Sequence, residues 1–448
     1  MKTKTTAWLV LVLFFGLSSL ALANGLNLNS LGTRALSMGG AFVGLADDFS
    51  AVYWNPAGIA QFKKQYFGFY GTDVIPSSTY LMQAPTQTAQ LLTVVDAESQ
   101  SKHYLSGMAA YYYPFSESLV AGIAVYVPSG LGAAWDGEDF VGLQNFSLGL
   151  PSTQTSSANL WESRVGLLTF SPAIAYQVNE MVSIGAALNI NYGMFSLKRW
   201  AGAAEISVDP YVVDLGQYED SQNGWGFGAT FGVLVKASDM LSFGATIRTP
   251  SKVNFKGETT ISNVTLLGYK ETSDSEREIT WPWWVAAGVA LRPMTDLTLT
   301  ADLQWTHWSQ LDEIETNFKD ISWSLFMTAA GNNITPLKWK DALQIRFGGE
   351  YMLYQNVGLR AGYYYDPAPA PNKTLNILLP SYDFHVLTIG LGYDLGGLVL
   401  DFGFEYLMGK ERDVDFAKWL LDPEYESSMP GVYDMKMFVP NLSISYKF

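Results

Sequence analysis

From about Gln65 onward, apolar residues alternate with small or polar ones in segments of roughly 8 to 16 residues, the period of a strand with two different faces. Fourteen such segments are predicted, over 65–72, 103–114, 118–128, 164–178, 181–198, 223–236, 241–257, 276–292, 296–308, 340–354, 357–365, 382–395, 398–408 and 436–448. In 182–194, Val182, Ile184, Ala186, Leu188, Ile190 and Tyr192 form one face; Ser183, Gly185, Asn189 and Asn191 form the other. In 297–305, Leu297, Leu299, Ala301, Leu303 and Trp305 oppose Thr298, Thr300, Asp302 and Gln304. Lipid on one side and a polar or side-chain-filled lumen on the other account for both.

The connections carry a second pattern. After the first segment they alternate long and short to the end of the chain. The short ones are 115–117, Asn179-Glu180, 237–239, 293–295, Gln355-Asn356 and Gly396-Gly397; the long ones include 129–163, 199–222, 309–339 and 409–435. An even strand number, tight turns at one end and long loops at the other predict an all-β fold, a 14-stranded antiparallel transmembrane β-barrel. The last segment ends with Leu442, Ile444, Tyr446 and Phe448 on one face. Aromatics near segment ends, including Trp281, Trp283, Trp284, Trp305 and Trp308, suit an interfacial girdle.

The N-terminal 62 residues do not follow the alternation. Lys2 and Lys4, an apolar run of about 13 residues and Ala21-Leu22-Ala23 form a secretory signal peptide over residues 1–23. That run falls short of the roughly 20 apolar residues of a spanning helix, and no later run reaches that length. Residues 24–62 are rich in Gly and Ala and carry more Leu, Phe, Trp and Met than a disordered tail needs, so a plug inside the barrel is expected.

Composition narrows the function. Charged residues make up 15% of the chain and aromatics 14%, unlike the roughly 25% charged content of a soluble domain. Cysteine is absent, so this exported chain is held without disulfides. The formal net charge of −15 argues against nucleic acid as a partner. Three histidines, His103, His307 and His385, offer neither a metal cluster nor a Ser-His pair for hydrolysis, so no cofactor, no metal and no enzymatic activity are expected.

The run G-T-R-A-L-S-M-G-G-A-F-V-G-L-A-D-D-F-S-A-V-Y-W-N-P-A (32–57) resembles the N-terminal hatch of the FadL/TodX family, outer-membrane transporters of long-chain fatty acids and aromatic hydrocarbons. The resemblance continues through 224–234, 252–257, 306–311, 339–342 and 365–372, in order. It implies a fourteen-stranded barrel (63–448) plugged by a hatch (24–62), with passive uptake of a hydrophobic ligand. It further implies hatch movement, and lateral exit into the membrane lipid through a kinked third strand. A C-terminal strand ending in phenylalanine looks like the signal read by the barrel assembly machinery.

On the same resemblance, Asn55, Pro56 and Ala57 are the hatch motif, and the mature N-terminus, Asn24 with Leu26, enters the ligand pocket. Pro128, Ser129 and Gly130 end the third strand where the kink lies; proline there removes a ladder donor and glycine permits a bend. An inward cation would hold a carboxylate ligand. With Ile345, Phe347, Tyr351 and Leu353 on the lipid face, Lys340, Gln344, Arg346 and Glu350 face the lumen, and by the same parity so do Arg199, Arg248 and Arg360. Lys340 also matches a pocket lysine of the family; lumen salt bridges to Asp302, Asp401 or Glu405 are the structural alternative for the arginines. The family's fifth-strand arginine aligns on Met194, and the loop over 199–222 is short, which opens the choice between fatty acids and hydrocarbons. A general porin for polar solutes is the competing reading.

Overall fold

The computed structural model describes residues 25–86, 90–149, 157–206 and 211–448. The signal-peptide region and Asn24 lie outside them. Fourteen antiparallel strands close a barrel among the described residues. They are β1 (Tyr66–Pro85), β2 (Leu91–Glu98 continued by Tyr104–Pro114), β3 (Leu119–Trp135), β4 (Trp161–Gln177) and β5 (Val182–Trp200). Next come β6 (Gln217–Lys236), β7 (Leu241–Arg248 and Ser251–Ile261), β8 (Thr272–Trp281 and Trp284–Met294) and β9 (Leu297–Thr306). β10 (Ala342–Tyr354), β11 (Val357–Asp366), β12 (Phe384–Asp394), β13 (Leu398–Gly409) and β14 (Gly431–Lys447) complete the wall. Pairing of β1 with β14, from Tyr66 opposite Lys447 to Leu81 opposite Val432, removes the free edges.

The alternation sorts residues as expected. In β10, Leu343, Ile345, Phe347, Tyr351 and Leu353 are exposed, whereas Gln344, Arg346 and Glu350 are buried. In β14, Leu442, Ile444, Tyr446 and Phe438 face outward. Tyr192 packs on Trp225 at 5.0 Å about midway along β5 and β6, and Trp305 on His307 at 5.3 Å at the long-loop end of β9, both pairs facing outward. Trp281, Trp284 and Trp308 do not join them: each is buried at 5% exposure or less. The reason is local. Pro282 and Trp283 interrupt β8, so the parity resets and Trp281 and Trp284 both turn inward, leaving Trp283 outside.

Several long connections carry structure of their own, among them the helices Val141–Ser147 after β3 and Phe416–Leu421 after β13. A small ribbon pairs Ala203–Ile206 with Tyr211–Asp214 between β5 and β6. After β9 come a short strand, Glu313–Phe318, and the helix Ile321–Ala329, whose N-cap Asp320 accepts from Ser322 and Trp323.

Residues 25–62 fill the lumen. They contain short helices at Thr33–Ser37 and Ala51–Trp54 and a 3₁₀ turn at Pro56–Gln61, and nearly every side chain is buried. Wall glycines let the plug backbone lie against the strands. A Cβ at Gly232 would come within 2.1 Å of Asn55 Oδ1, and one at Gly244 within 2.0 Å of the Val43 carbonyl oxygen.

Candidate transport pathway

The Asn55-Pro56-Ala57 turn is an anchor as well as a turn. Asn55 Oδ1 accepts from the Ala57 amide at 3.1 Å, capping the 3₁₀ helix that Pro56 begins. Its Nδ2 donates to the Val43 carbonyl at 3.0 Å and to the Val233 carbonyl of β6 at 2.9 Å. One fully buried side chain thus joins two plug segments to the wall. Asn55→Ala is expected to cost about 2 kcal/mol, since it removes a cap and strands buried carbonyls. The loss should appear as a lower midpoint for protease attack on residues 25–62; an unchanged midpoint would reduce Asn55 to a turn former.

The predicted lumen arginines divide by what they hold. Arg346, at 1% exposure, donates to the carbonyls of Gly39 and Asn29, each at 2.9 Å, and to Gln344 Oε1, with its guanidinium 4.2 Å from the Tyr364 ring centre. It therefore clamps the plug. Arg360 bonds Glu350 and Asp401, each at 2.6 Å, and Glu350 also takes a two-pronged contact from Arg34 of the plug. Among the described residues Asp302 makes no salt bridge; its Oδ2 accepts from the amides of Phe42 and Val43, each at 2.9 Å. In the plug itself, burial lifts the Asp48 carboxyl to about 6, against Arg34 and the Ser50 hydrogen bonds.

Arg199 lies at the loop end of β5, where it donates to the Trp200 carbonyl and stacks on Tyr218. Lys340 departs from the inward parity. It precedes β10, where the backbone no longer alternates as a paired strand, and its side chain is exposed. Arg248 sits between Tyr53 of the plug and Trp284, 4.6 and 4.8 Å from their rings, and donates to the Tyr53 carbonyl. With Asn27, Tyr126, Pro128 and Trp281 it lines a cavity of about 40 Å³.

Pro128, Ser129 and Gly130 do not end β3. The strand continues to Trp135, and the ladder with β4 slips between Tyr126 and Ser129 before resuming through Leu131 opposite Val165. Proline's missing N–H produces a bulge here because β4 keeps pairing on the other edge. Toward β2 the strand parts company. Pairing stops at Met108 opposite Tyr126 and returns only at the top, where the Gln100 amide reaches the Ala134 carbonyl at 2.8 Å. Among the described residues, 101–107 of β2 and 127–133 of β3 are not paired with each other, a window in the backbone ladder of the wall.

The N-terminal residues close part of that window by strand addition. The Leu28 amide donates to the Pro128 carbonyl, and the Gly130 amide to the Leu26 carbonyl, each at 3.0 Å. Ser129 Oγ also donates to the Leu26 carbonyl and accepts from Trp281 Nε1 at 2.8 Å. The Leu26 side chain, 2% exposed, packs into an apolar cluster with Leu131, Val165, Leu167, Phe195, Trp281 and Trp308. Arg277 of β8 borders the cluster over the Phe195 ring, but it is already bound to Asp220 and Gln222. The sequence pattern did not single out Arg277 or the hub role of Ser129, and it assigned Trp281 to the girdle rather than to this cluster. Inward parity in Ser273-Ser275-Arg277-Ile279-Trp281 was the signal available for Arg277 and Trp281.

The family described as outer membrane protein transport protein (OMPP1/FadL/TodX) matches residues 15–448. Outer membrane protein P1 of Haemophilus influenzae is 24% identical over 415 residues, covering 84% of this chain and 84% of that one. A long-chain fatty acid transport protein of Salmonella typhi is 23% identical over 452 residues, covering 93% and 94%. Among solved structures, a Pseudomonas aeruginosa FadL homologue superposes with a TM-score of 0.76 at 16% identity, covering 95% of this chain and 100% of that one. The Ralstonia pickettii toluene transporter TbuX does so with a TM-score of 0.67 at 17% identity, covering 94% and 99%. The barrel with its plug, the alternating connections and this match over almost the whole length lead to one assignment: the chain belongs to the OMPP1/FadL/TodX family of outer-membrane transport proteins for hydrophobic compounds.

Proposed function

We propose that this protein carries uncharged hydrophobic molecules passively across the outer membrane, with fatty acids as poorer cargo. The ligand enters between the long loops and settles in the apolar cluster that holds Leu26. Residues 26–28 then leave the β3 edge, and the ligand passes through the window between β2 and β3 into the bilayer. Such a path spares an apolar molecule a crossing of the aqueous periplasm. Cleavage after Ala23 would set the mature N-terminus at Asn24, two residues from this latch, and Phe448 would serve recognition by the assembly machinery.

The observation that carries the reading is the unpaired edge of β3, satisfied by chain that belongs to the plug. A latch of two backbone hydrogen bonds and one buried leucine is cheap to displace relative to a strand of the wall. The preference for uncharged cargo follows from the cations. Arg346 and Arg360 are spent on the plug and on carboxylates, Arg277 is neutralised, Lys340 is exposed, and Arg199 is turned to the Trp200 carbonyl and the Tyr218 ring; among the described lumen-facing cations Arg248, beside Pro128, is the candidate partner for a carboxylate. Relatives named for long-chain fatty acids and for toluene bracket the same choice.

Purified protein in liposomes should speed transfer of toluene above empty vesicles, and transfer of laurate less. Equal rates with and without protein for both probes would sink the reading. Large single-channel conductance to salt, with no hydrophobic transfer, would put a general porin in its place.

A further inference from the structure

Where β2 and β3 part, a depression of about 430 Å³ lies across β3 to β6, with Lys102 and Tyr104 at its β2 edge. Arg164 stands in it. Its register partners are Gly132 of β3 and Ser196 of β5. The buried residues of β4 around it are the odd-numbered Ser163, Val165 and Leu167, so Arg164 points away from the lumen. Its Nε is buried without a hydrogen-bond partner, and among the described residues the guanidinium makes no ion pair. The neighbouring carboxylates are engaged elsewhere, Glu162 with Lys102 at 2.5 Å and Glu219 with Lys198 at 3.5 Å. A half-buried guanidinium without an acceptor is costly, and its planar fork matches phosphate oxygens.

The height of the groove selects the source of that acceptor. Its lower rim includes Tyr192, which packs on Trp225 in the outward aromatic layer. Ser196, opposite Arg164, lies four residues beyond Tyr192 toward the long loops, on the order of 10 Å along a tilted strand. That is the headgroup layer just outside the hydrocarbon. We propose that this groove binds the phosphate of an outer-leaflet lipid headgroup. Arg164 grips the phosphate, Ser196, Ser221 and Asn223 supply further donors, and Met194 lies against the start of an acyl chain. The site rests on the outer-membrane location and the wall geometry, and it stands whether or not cargo leaves laterally.

The test uses the whole protein in nanodiscs of phosphatidylethanolamine with a minor fraction of bis-phosphorylated lipid A, read by native mass spectrometry. Lipid A should be retained by the wild type and fall about tenfold in Arg164→Gln, with Arg164→Lys between them. Dephosphorylated lipid A should be held as poorly by the wild type as lipid A is by Arg164→Gln. Heat-modifiable migration on gels reports that each variant barrel is folded. Equal retention by wild type and Arg164→Gln, or equal retention of the dephosphorylated lipid, overturns the site. Displacement of lipid A by millimolar inorganic phosphate overturns the lipid source in favour of the free anion. Displacement by laurate would hand Arg164 to the transported molecule instead.

Discussion

Replacing Arg346 by methionine is expected to free the plug while the barrel stays closed. The guanidinium is fully buried, and its acceptors are two plug carbonyls, Gly39 and Asn29, together with Gln344 of its own strand. Hydrogen bonds from a charged donor contribute roughly 1.5–3 kcal/mol each, and they do not add fully. The loss in plug docking should be on the order of 3–5 kcal/mol, because methionine leaves both carbonyls buried without a donor. The wall itself loses little, since its ladder between β9 and β10 runs through the backbone, with Asp302 opposite Arg346. Trypsin therefore becomes the probe: Arg34, sheltered between Glu350 and Asp47, should turn cleavable while the barrel keeps its heat-modifiable migration. Arg346→Lys should fall between, keeping charge without the fork. A tryptic pattern identical to wild type would show that Arg346 serves the wall alone.

How far the sequence alone reaches is visible strand by strand. All fourteen segments were legible because lipid and lumen impose opposite demands on alternate residues, and β9 and β10 sort as their pattern dictates. The same rule placed Arg346 and Arg360 inward. It failed where the pairing that enforces parity is interrupted: Lys340 precedes its strand, and Trp284 follows a proline that resets the phase. It failed differently at Pro128. Proline announces a lost donor but not whether the neighbouring strand keeps pairing, and β4 does keep pairing. The apolar cluster was beyond reach for another reason. Leu26, Phe195, Trp281 and Trp308 belong to segments far apart in sequence, and only barrel closure brings them together.

Leu26→Ala is expected to tighten ligand binding. Leu26 occupies the apolar cluster, so in the folded protein it competes with any hydrophobic ligand for that volume. Truncating a buried leucine to alanine costs about 2–5 kcal/mol, and here the loss falls on docking of a segment otherwise held through Pro128, Ser129 and Gly130. Ligand affinity is reduced by the fraction of molecules whose site is already filled, so loosening the occupant raises apparent affinity, here by about tenfold or more. Trp281 and Trp308 line the cluster and Trp339 belongs to it, which makes tryptophan fluorescence a direct report of occupancy during a toluene titration. Ser129→Ala should act in the same direction and less strongly, because it removes one of three hydrogen bonds and spares the leucine. Weaker binding in Leu26→Ala would make Leu26 part of the ligand's wall, and the latch would then have to be sought in the backbone contacts to β3.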